Sequence, residues 1–309
     1  MTSLVPNCVV VRVPGKINLQ LSVGPKGEDG FHGVVTVFQA ISLFDDVTVT
    51  RGDFDTGISV QITGDHTQGV PTDVTNLCVR AAALMCEKYA LPTDLSIEIR
   101  KSIPVAGGMA GGSADAAATI IAIDTLFSLG LSREDIHNLA ASLGSDVPFM
   151  LTGGTAVGRG RGDQVTSALS RGTYHWVLAL SKAGLSTPAV YEECDRLRAG
   201  MDVATPHVHD QLLQALLTAD AAALGKSLVN DLQAAACSLR PALRLILDVG
   251  SEYGALGSVV SGSGPTVAFL VSDEEQALDL AVALTSSGVI GGVTRVHGPV
   301  PGAKVIEVR

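Results

Sequence analysis

The stretch Pro104-Val105-Ala106-Gly107-Gly108-Met109-Ala110-Gly111-Gly112-Ser113 runs without a break into Ala114-Asp115-Ala116-Ala117-Ala118-Thr119-Ile120. Glycines let several backbone N–H groups crowd round one anion. The alanine-rich pattern that follows starts a helix whose unpaired first-turn N–H groups and positive dipole end face the same point. The loop therefore reads as a cradle for nucleotide phosphates; taken alone, it also reads as a plain turn. Two familiar phosphate fingerprints do not fit it. No Gly-Lys-Ser/Thr closes the loop, so the lysine of a P-loop is missing. The loop also lies a third of the way along the chain, not after the first strand as a dinucleotide fold requires.

Upstream, short β-rich runs at residues 8–13, 17–23, 34–43, 47–51 and 58–62 are divided by Gly, Pro and Asp, which predicts a mostly antiparallel sheet. Residues 73–90 carry apolar side chains at helical spacing (Val74, Leu77, Ala81, Leu84, Met85) until Leu91-Pro92 stops them. A strand at 95–99 then delivers the chain into the loop. Downstream, residues 113–129 and 132–143 read as helices, the second opened by the capping signal Ser132-Arg133-Glu134-Asp135. After Gly153-Gly154 and Gly158-Arg159-Gly160-Arg161-Gly162 the pattern loosens, and the expected division is into residues 1–165 and 166–309. The second unit is expected to hold strands at 176–180, 258–260, 266–271 and 304–308. Its expected helices lie at 188–198, 207–217, 221–232 and 239–250, with a last one from Ser272-Asp273-Glu274-Glu275 to 284. The fold class is α+β in two domains.

Composition narrows the function. The 309 residues suffice for two ordinary cores; 46% are apolar and 17% charged, and no run approaches the length that spans a bilayer. The first six residues lack the basic segment of a secretory signal, so a soluble, cytoplasmic protein without membrane partners is expected. A net charge of −10 without a Lys/Arg-rich block disfavours nucleic acid. Cys8, Cys78, Cys86, Cys194 and Cys237 show no zinc spacing and read as reduced thiols, with Cys78 and Cys86 on one buried helix face. His207 and His209 have no further ligands nearby in sequence and read as surface residues.

Three polar islands carry the chemistry. In Pro14-Gly15-Lys16-Ile17-Asn18-Leu19, Lys16 and Asn18 share one face of a strand and would point into one cleft. In Gly144-Ser145-Asp146-Val147-Pro148-Phe149, Asp146 is either a fixed carboxylate at the mouth of a site or the cap of the next turn. Residues 261–266 form a second small-residue turn. Together with the glycine loop these suit phosphoryl transfer, which rests on positioning and charge stabilisation: the loop holds a triphosphate, a lysine stabilises the substrate oxygen and an aspartate accepts its proton. The phase of Ser261-Gly262-Ser263-Gly264 is wrong for a nucleophile elbow.

In this order the islands resemble the three signature motifs of the GHMP kinase superfamily, small-molecule kinases named for galactose, homoserine, mevalonate and phosphomevalonate. The similarity runs from residue 13 to about residue 269. Lys16-Ile17-Asn18-Leu19-Gln20-Leu21 followed by Asp29-Gly30-Phe31-His32 is most similar to the branch that phosphorylates the 2-hydroxyl of a cytidine-diphosphate-linked methylerythritol on the non-mevalonate isoprenoid route. The resemblance implies a two-domain fold: an N-terminal mixed-sheet ATP-binding domain, a C-terminal sandwich-like domain, and the active site in the cleft between them. It implies Lys16 and Asp146 as catalytic residues, with Asn18 facing the substrate. Phe31 would stack on cytosine, His32 would bond its edge, and Thr187 and Tyr191 would form the pocket's second wall. ATP would lie along residues 104–114 with Lys101 and Asn76 near the adenine. Mg²⁺ is implied too, with Ser113 as the candidate contact and no carboxylate committed to it.

Two departures stand out. The family more usually has Gly-Leu-Gly-Gly-Gly-Ser-Ser where this chain has Gly108-Met109-Ala110-Gly111-Gly112-Ser113-Ala114, and Tyr where it has Phe31. Ala110 is expected at an ordinary negative φ, which would make its extra Cβ harmless. A homoserine- or mevalonate-type sister kinase, and a catalytically silent nucleotide-binding protein, are the alternatives. A monomer or weak homodimer is expected.

Overall fold

The computed structural model describes residues 6–181 and 183–309; the opening residues read above for a signal fall partly outside them. The first part of the chain forms β1 (Cys8–Lys26), β2 (His32–Arg51), β3 (Ile58–Gly64), α1 (Leu77–Tyr89), β4 (Leu95–Lys101), α2 (Gly111–Leu126), α3 (Arg133–Leu143), α4 (Val147–Thr152), β5 (Thr155–Arg159) and β6 (Gln164–Ser167). There follow β7 (Tyr174–Leu180), α5 (Thr187–Leu197), α6 (Asp210–Thr218), α7 (Ala221–Ser227), β8 (Val229–Asn230) and α8 (Gln233–Leu239). The last elements are α9 (Ala242–Glu252), β9 (Gly257–Val260), β10 (Val267–Val271), α10 (Glu274–Ser287), β11 (Gly292–Gly298) and β12 (Lys304–Val308).

These strands make two sheets. The larger has the order β12-β1-β2-β4-β3, with β5 and β6 attached through β2 and β8 attached through β1; the smaller has the order β11-β7-β10-β9. Most pairs are antiparallel, but β3 with β4 and β1 with β8 are parallel, so the larger sheet is mixed. Its first and last strands, β1 and β12, are neighbours, so the end of the chain returns to the sheet where it began.

Burial explains the sequence pattern. On β7, Trp176, Leu178 and Leu180 join the core beneath the larger sheet, while Val177 and Ala179 join a second core with α8, α9 and α10. A strand buried on both faces reads as a continuous apolar run, which is what residues 176–180 are. Helix α2 is likewise covered nearly all round, from Ala114 to Ala118 and on through Ile123. Its alanines let the larger sheet and α1 pack close against it. The five cysteines are free, and Cys78 and Cys86 are buried on α1. Among the described residues no helix is long and apolar enough to cross a membrane.

Several expected boundaries shift. The runs at 8–13 and 17–23 are one strand, and those at 34–43 and 47–51 another. The interruptions are register shifts at Pro14/Gly15 and beyond Asn18 that bend the strands without ending them. The helix expected at 221–232 ends at Ser227 because Val229 and Asn230 pair with Gln20 and Leu21. Asn230 Nδ2 then binds the carbonyls of Val260 and Gly262. Helix α8 falls in the gap between the helices expected at 221–232 and 239–250, sharing only Leu239 with the second, and Pro241 moves the start of α9 to Ala242.

Candidate active site

A cleft of about 670 Å³ opens at the N-terminus of α2. The phosphate-loop reading acquires a backbone basis there. Ala106, Gly108 and Ala110 have φ of 52°, 75° and 58°, while Gly107 and Met109 do not take positive values. Alternation of this kind turns successive N–H groups toward one point and makes an anion-binding nest, which continues into the free first-turn amides of α2. Gly108 is fixed by more than its φ: an added Cβ would sit 2.1 Å from the carbonyl oxygen of Ser261. Met109 and Ala114 are fully buried and serve the core, whereas Gly111, Gly112 and Ser113 line the cleft.

Ala110 contradicts expectation. It sits in the left-handed region, φ 58° and ψ 35°, as the N-cap of α2, with no side-chain cap. The helix must begin immediately after the nest, and that turn demands a positive φ whichever residue occupies it. The Cβ is therefore a strain the more usual glycine would not carry.

Strand β1 delivers Lys16 and Asn18 into the cleft and Ile17 and Leu19 into the core. Lys16 Nζ donates to Asn18 Oδ1 at 2.7 Å and to the Gly108 carbonyl at 2.9 Å. Asn18 is held in turn by donating to Thr36 Oγ1 at 2.8 Å. Across the cleft mouth, Asp146 Oδ2 lies 3.8 Å from Lys16 Nζ. Burial lowers the pKa of Lys16, opposed by the charge of Asp146. Asp146 stands at the N-cap of α4 but makes no side-chain capping bond, which sets aside the capping role and leaves its carboxylate facing the cleft. The turn after β9 closes the far side. Ser261 Oγ also donates to the Gly108 carbonyl, at 3.0 Å, and a Cβ on Gly262 would come within 3.2 Å of Lys16 Nζ.

The other expected residues separate into two groups. Thr187 and Tyr191, on the first turns of α5, line the cleft, and Thr187 Oγ1 is 2.9 Å from Ser263 Oγ. Burial, with the nearby charge of Asp146, pushes the Tyr191 hydroxyl up to about 12. Phe31 and His32 lie outside the lining. Phe31 is 55% exposed, with the Arg161 guanidinium carbon 3.8 Å from the centroid of its ring. The ring nitrogens of His32 face the Gly24 carbonyl at 2.9 Å and Asp195 Oδ1 at 3.3 Å, and its ring is tilted against Tyr191 at 5.2 Å.

Asn76 and Lys101 both line the cleft, yet their polar atoms are already engaged. Asn76 caps α1 by accepting from the Cys78 amide and donates to the Pro71 carbonyl. Lys101 is buried between Asp45 and Asp115, with the Asp115 contact at 2.7 Å. Sequence reading missed both partners. Asp45 reaches inward where β1 and β2 slip register, and its Oδ1 also accepts the amides of Ser102 and Ile103. Asp115 keeps Oδ1 without a partner. One lysine faces two carboxylates here, so the shared proton belongs on the less satisfied one. Burial, against the pull of Lys101, pushes the Asp115 carboxyl up to about 8. Burial alone would lower Lys101, but the two acids outweigh it and raise its pKa.

Residues 76–154 match the model "GHMP kinases N terminal domain" and residues 212–290 match "GHMP kinases C terminal". A protein of Rhodococcus jostii (strain RHA1) named 4-diphosphocytidyl-2-C-methyl-D-erythritol kinase is 51% identical over 307 residues, covering 99% of this chain and 98% of the relative. One of the same name from Thermobifida fusca (strain YX) is 51% identical over 306 residues, covering 97% and 99%. Among solved structures, a 4-(cytidine 5'-diphospho)-2C-methyl-D-erythritol kinase superposes with a TM-score of 0.73 at 29% identity, covering 93% of this chain and 98% of that one. A homoserine kinase from Cytophaga hutchinsonii gives 0.75 at 19% identity, covering 99% of each chain, a likeness of fold alone.

Proposed function

The chain belongs to the GHMP kinases, and from that membership we propose that it transfers the γ-phosphoryl group of ATP to the 2-hydroxyl of 4-diphosphocytidyl-2-C-methyl-D-erythritol, a step of non-mevalonate isoprenoid synthesis. The observation that carries the reading is the meeting of Lys16 and Asp146 beside the phosphate nest: an ammonium tied to Asn18 and Gly108, and a carboxylate 3.8 Å away with no competing cap bond. The relatives that bear this substrate's name match at 51% identity over nearly the whole chain, so the homoserine- and mevalonate-type alternatives are not favoured.

In this scheme Asp146 takes the proton of the substrate hydroxyl, that oxygen bonds to the γ-phosphorus, and the bond from phosphorus to the bridging oxygen breaks to leave ADP. Lys16 holds the oxygen's growing negative charge. Because its ammonium is already oriented by two protein acceptors, little reorganisation is needed at the moment of transfer. The nest at residues 106–110 and the amides of Gly111, Gly112 and Ser113 would hold the triphosphate. Among the described residues no three His, Cys, Asp or Glu side chains cluster into a metal cage. That suits Mg²⁺, which keeps much of its water and is carried largely by phosphates, with the Ser113 hydroxyl as the protein's contact. The ion would neutralise phosphate charge. Thr187, Tyr191, Phe31 and His32 would receive the cytidine end, Lys101 and Asn76 the adenine end. The division at 165/166 puts the nest in the first unit and Tyr191 in the second, with β8 and β12 pairing back onto β1. All groups come from one chain, so a monomer and a weak homodimer serve equally.

The test supplies ATP, Mg²⁺ and the cytidyl substrate and follows ADP release. Asp146→Asn and Lys16→Ala should each lower kcat by about 10²–10⁴-fold with ATP binding retained. Full turnover by either variant overturns the mechanism.

A further inference from the structure

Asn230 belongs to none of the motifs and does not line the cleft. It is buried at the end of β8, where its backbone pairs with Leu21 of β1, the strand that carries Lys16 and Asn18. Its Nδ2 donates twice, to the carbonyls of Val260 and Gly262, each at 2.7 Å. Its Oδ1 accepts the Leu232 amide at 2.8 Å, which holds the side-chain amide in the orientation that aims both hydrogens at the turn.

A two-pronged donor on residues 260 and 262 fixes the chain between them. Ser261 is fully buried there, and its Oγ donates to the Gly108 carbonyl at 3.0 Å. The same carbonyl accepts Lys16 Nζ at 2.9 Å. Gly262, at φ 57°, lies against the ammonium itself: a Cβ on it would come within 3.2 Å of Lys16 Nζ and 3.4 Å of Asn18 Oδ1. The ties close into a ring. Strand β1 seats Asn230, Asn230 holds the turn, and the turn returns to Lys16 and to its acceptor. Resting on the reading of Lys16 as the group that steadies the attacking oxygen, we infer that Asn230 is a positioning residue for phosphoryl transfer. It sets the turn 261–264 against Gly108 and so fixes where the Lys16 ammonium stands relative to the phosphate nest. An error of about 1 Å in such a placement costs on the order of 10²-fold in rate. Gln233, from the same segment, makes the contrast: its Oε1 accepts the Val260 amide at 2.9 Å, which anchors β9 ahead of the turn without holding the turn itself.

The experiment compares Asn230→Ala, Gln233→Ala, Ser261→Ala and the double variant Asn230→Ala/Ser261→Ala with the wild type. It measures kcat and both KM values with ATP, Mg²⁺ and the cytidyl substrate, and urea unfolding alongside. Asn230→Ala should lower kcat about 10- to 100-fold with both KM values within about threefold. Gln233→Ala strips a bond of the same kind and should cost stability while kcat stays within about twofold. Ser261→Ala should lower kcat about 2- to 10-fold, the net worth of one hydrogen bond. In the Asn230→Ala background it should cost little more, because the turn it stands on is already released. An equal fall in Asn230→Ala and Gln233→Ala makes the bonds structural and overturns the role. Losses that multiply in the double variant place the effect of Asn230 elsewhere, which also overturns it. Should Asn230→Ala not fold, Ser261→Ala tests the last bond of the relay by itself: a fall in kcat at unchanged KM supports the role, and full kcat overturns it. A wild-type chain that releases no ADP removes the proposed function and this role with it. A wild-type chain that turns over, matched by Asn230→Ala, removes only the role of Asn230.

Discussion

Ala110 carries a methyl group where the backbone turns left-handed, and nothing in its surroundings relieves that turn: φ is 58° and no side-chain cap supports the helix start. The left-handed region costs an L-residue roughly 1–2 kcal/mol, and glycine's greater freedom when unfolded returns about 0.5–1 kcal/mol of any gain. Ala110→Gly should therefore stabilise the chain by about 0.5–1 kcal/mol in equilibrium urea unfolding, with the ATP KM within about twofold because the nest already has its shape. A loss of stability would show that the strain is absorbed elsewhere. At this scale the sequence was a good guide wherever a side chain's direction follows from local alternation, as with Lys16 and Asn18 on β1. It misjudged Ala110 because the sign of φ there is set by the demand that nest and helix join without a gap, which the identity of the residue does not reveal.

Helix α2 was legible as an element, and what lies beneath its first turn was not. Asp115 reads as one more polar residue in an alanine helix, and Asp45 as a turn residue between two strands. Only the fold brings both onto Lys101, across 56 and 14 residues of chain. The buried cluster gives stability a pH dependence of definite sign. Asp115 has a folded pKa of about 8 against an ordinary 3.8, so the folded state binds the extra proton between those values. Its contribution is whole below about pH 4 and is lost as pH rises toward 8. Asp115→Asn has no proton to lose. Urea unfolding across that window should show the variant gaining on the wild type as pH rises, with the difference levelling off above about pH 8. Parallel pH profiles would mean that Asp115 is ionised throughout. The same dependence on distant partners explains the misread ends of elements. The helix expected to reach residue 232 stops at Ser227 because β8 has a partner in β1, and the strands broken at residue 14 continue because β2 bulges opposite them.

Across the whole molecule, the two sheets are joined by β2. Its Gln39 is fully buried and accepts the indole N–H of Trp176, on β7, at 3.0 Å; its Ser42 and Ala40 accept the amides of His297 and Val300. The sequence announced two units but not this seam, since the residues that make it look like ordinary strand positions. The seam matters to the cleft because Lys16 comes from β1 of the larger sheet, while Ser261 follows β9 of the smaller sheet and Thr187 and Tyr191 reach it from α5. Trp176→Phe separates fold from chemistry. The phenyl ring is three heavy atoms smaller than the indole, and Gln39 Oε1 is left buried without its donor, the latter at a cost of about 1–3 kcal/mol. Gln39 and Trp176 both lie outside the cleft lining, so the chemistry keeps its geometry. The variant should unfold at lower urea while kcat and both KM values remain within about twofold at 25 °C. A fall in kcat at unchanged stability would instead show that Trp176 sets the relation of the two sheets at the moment of transfer, and that the seam holds the catalytic groups in register as well as the fold.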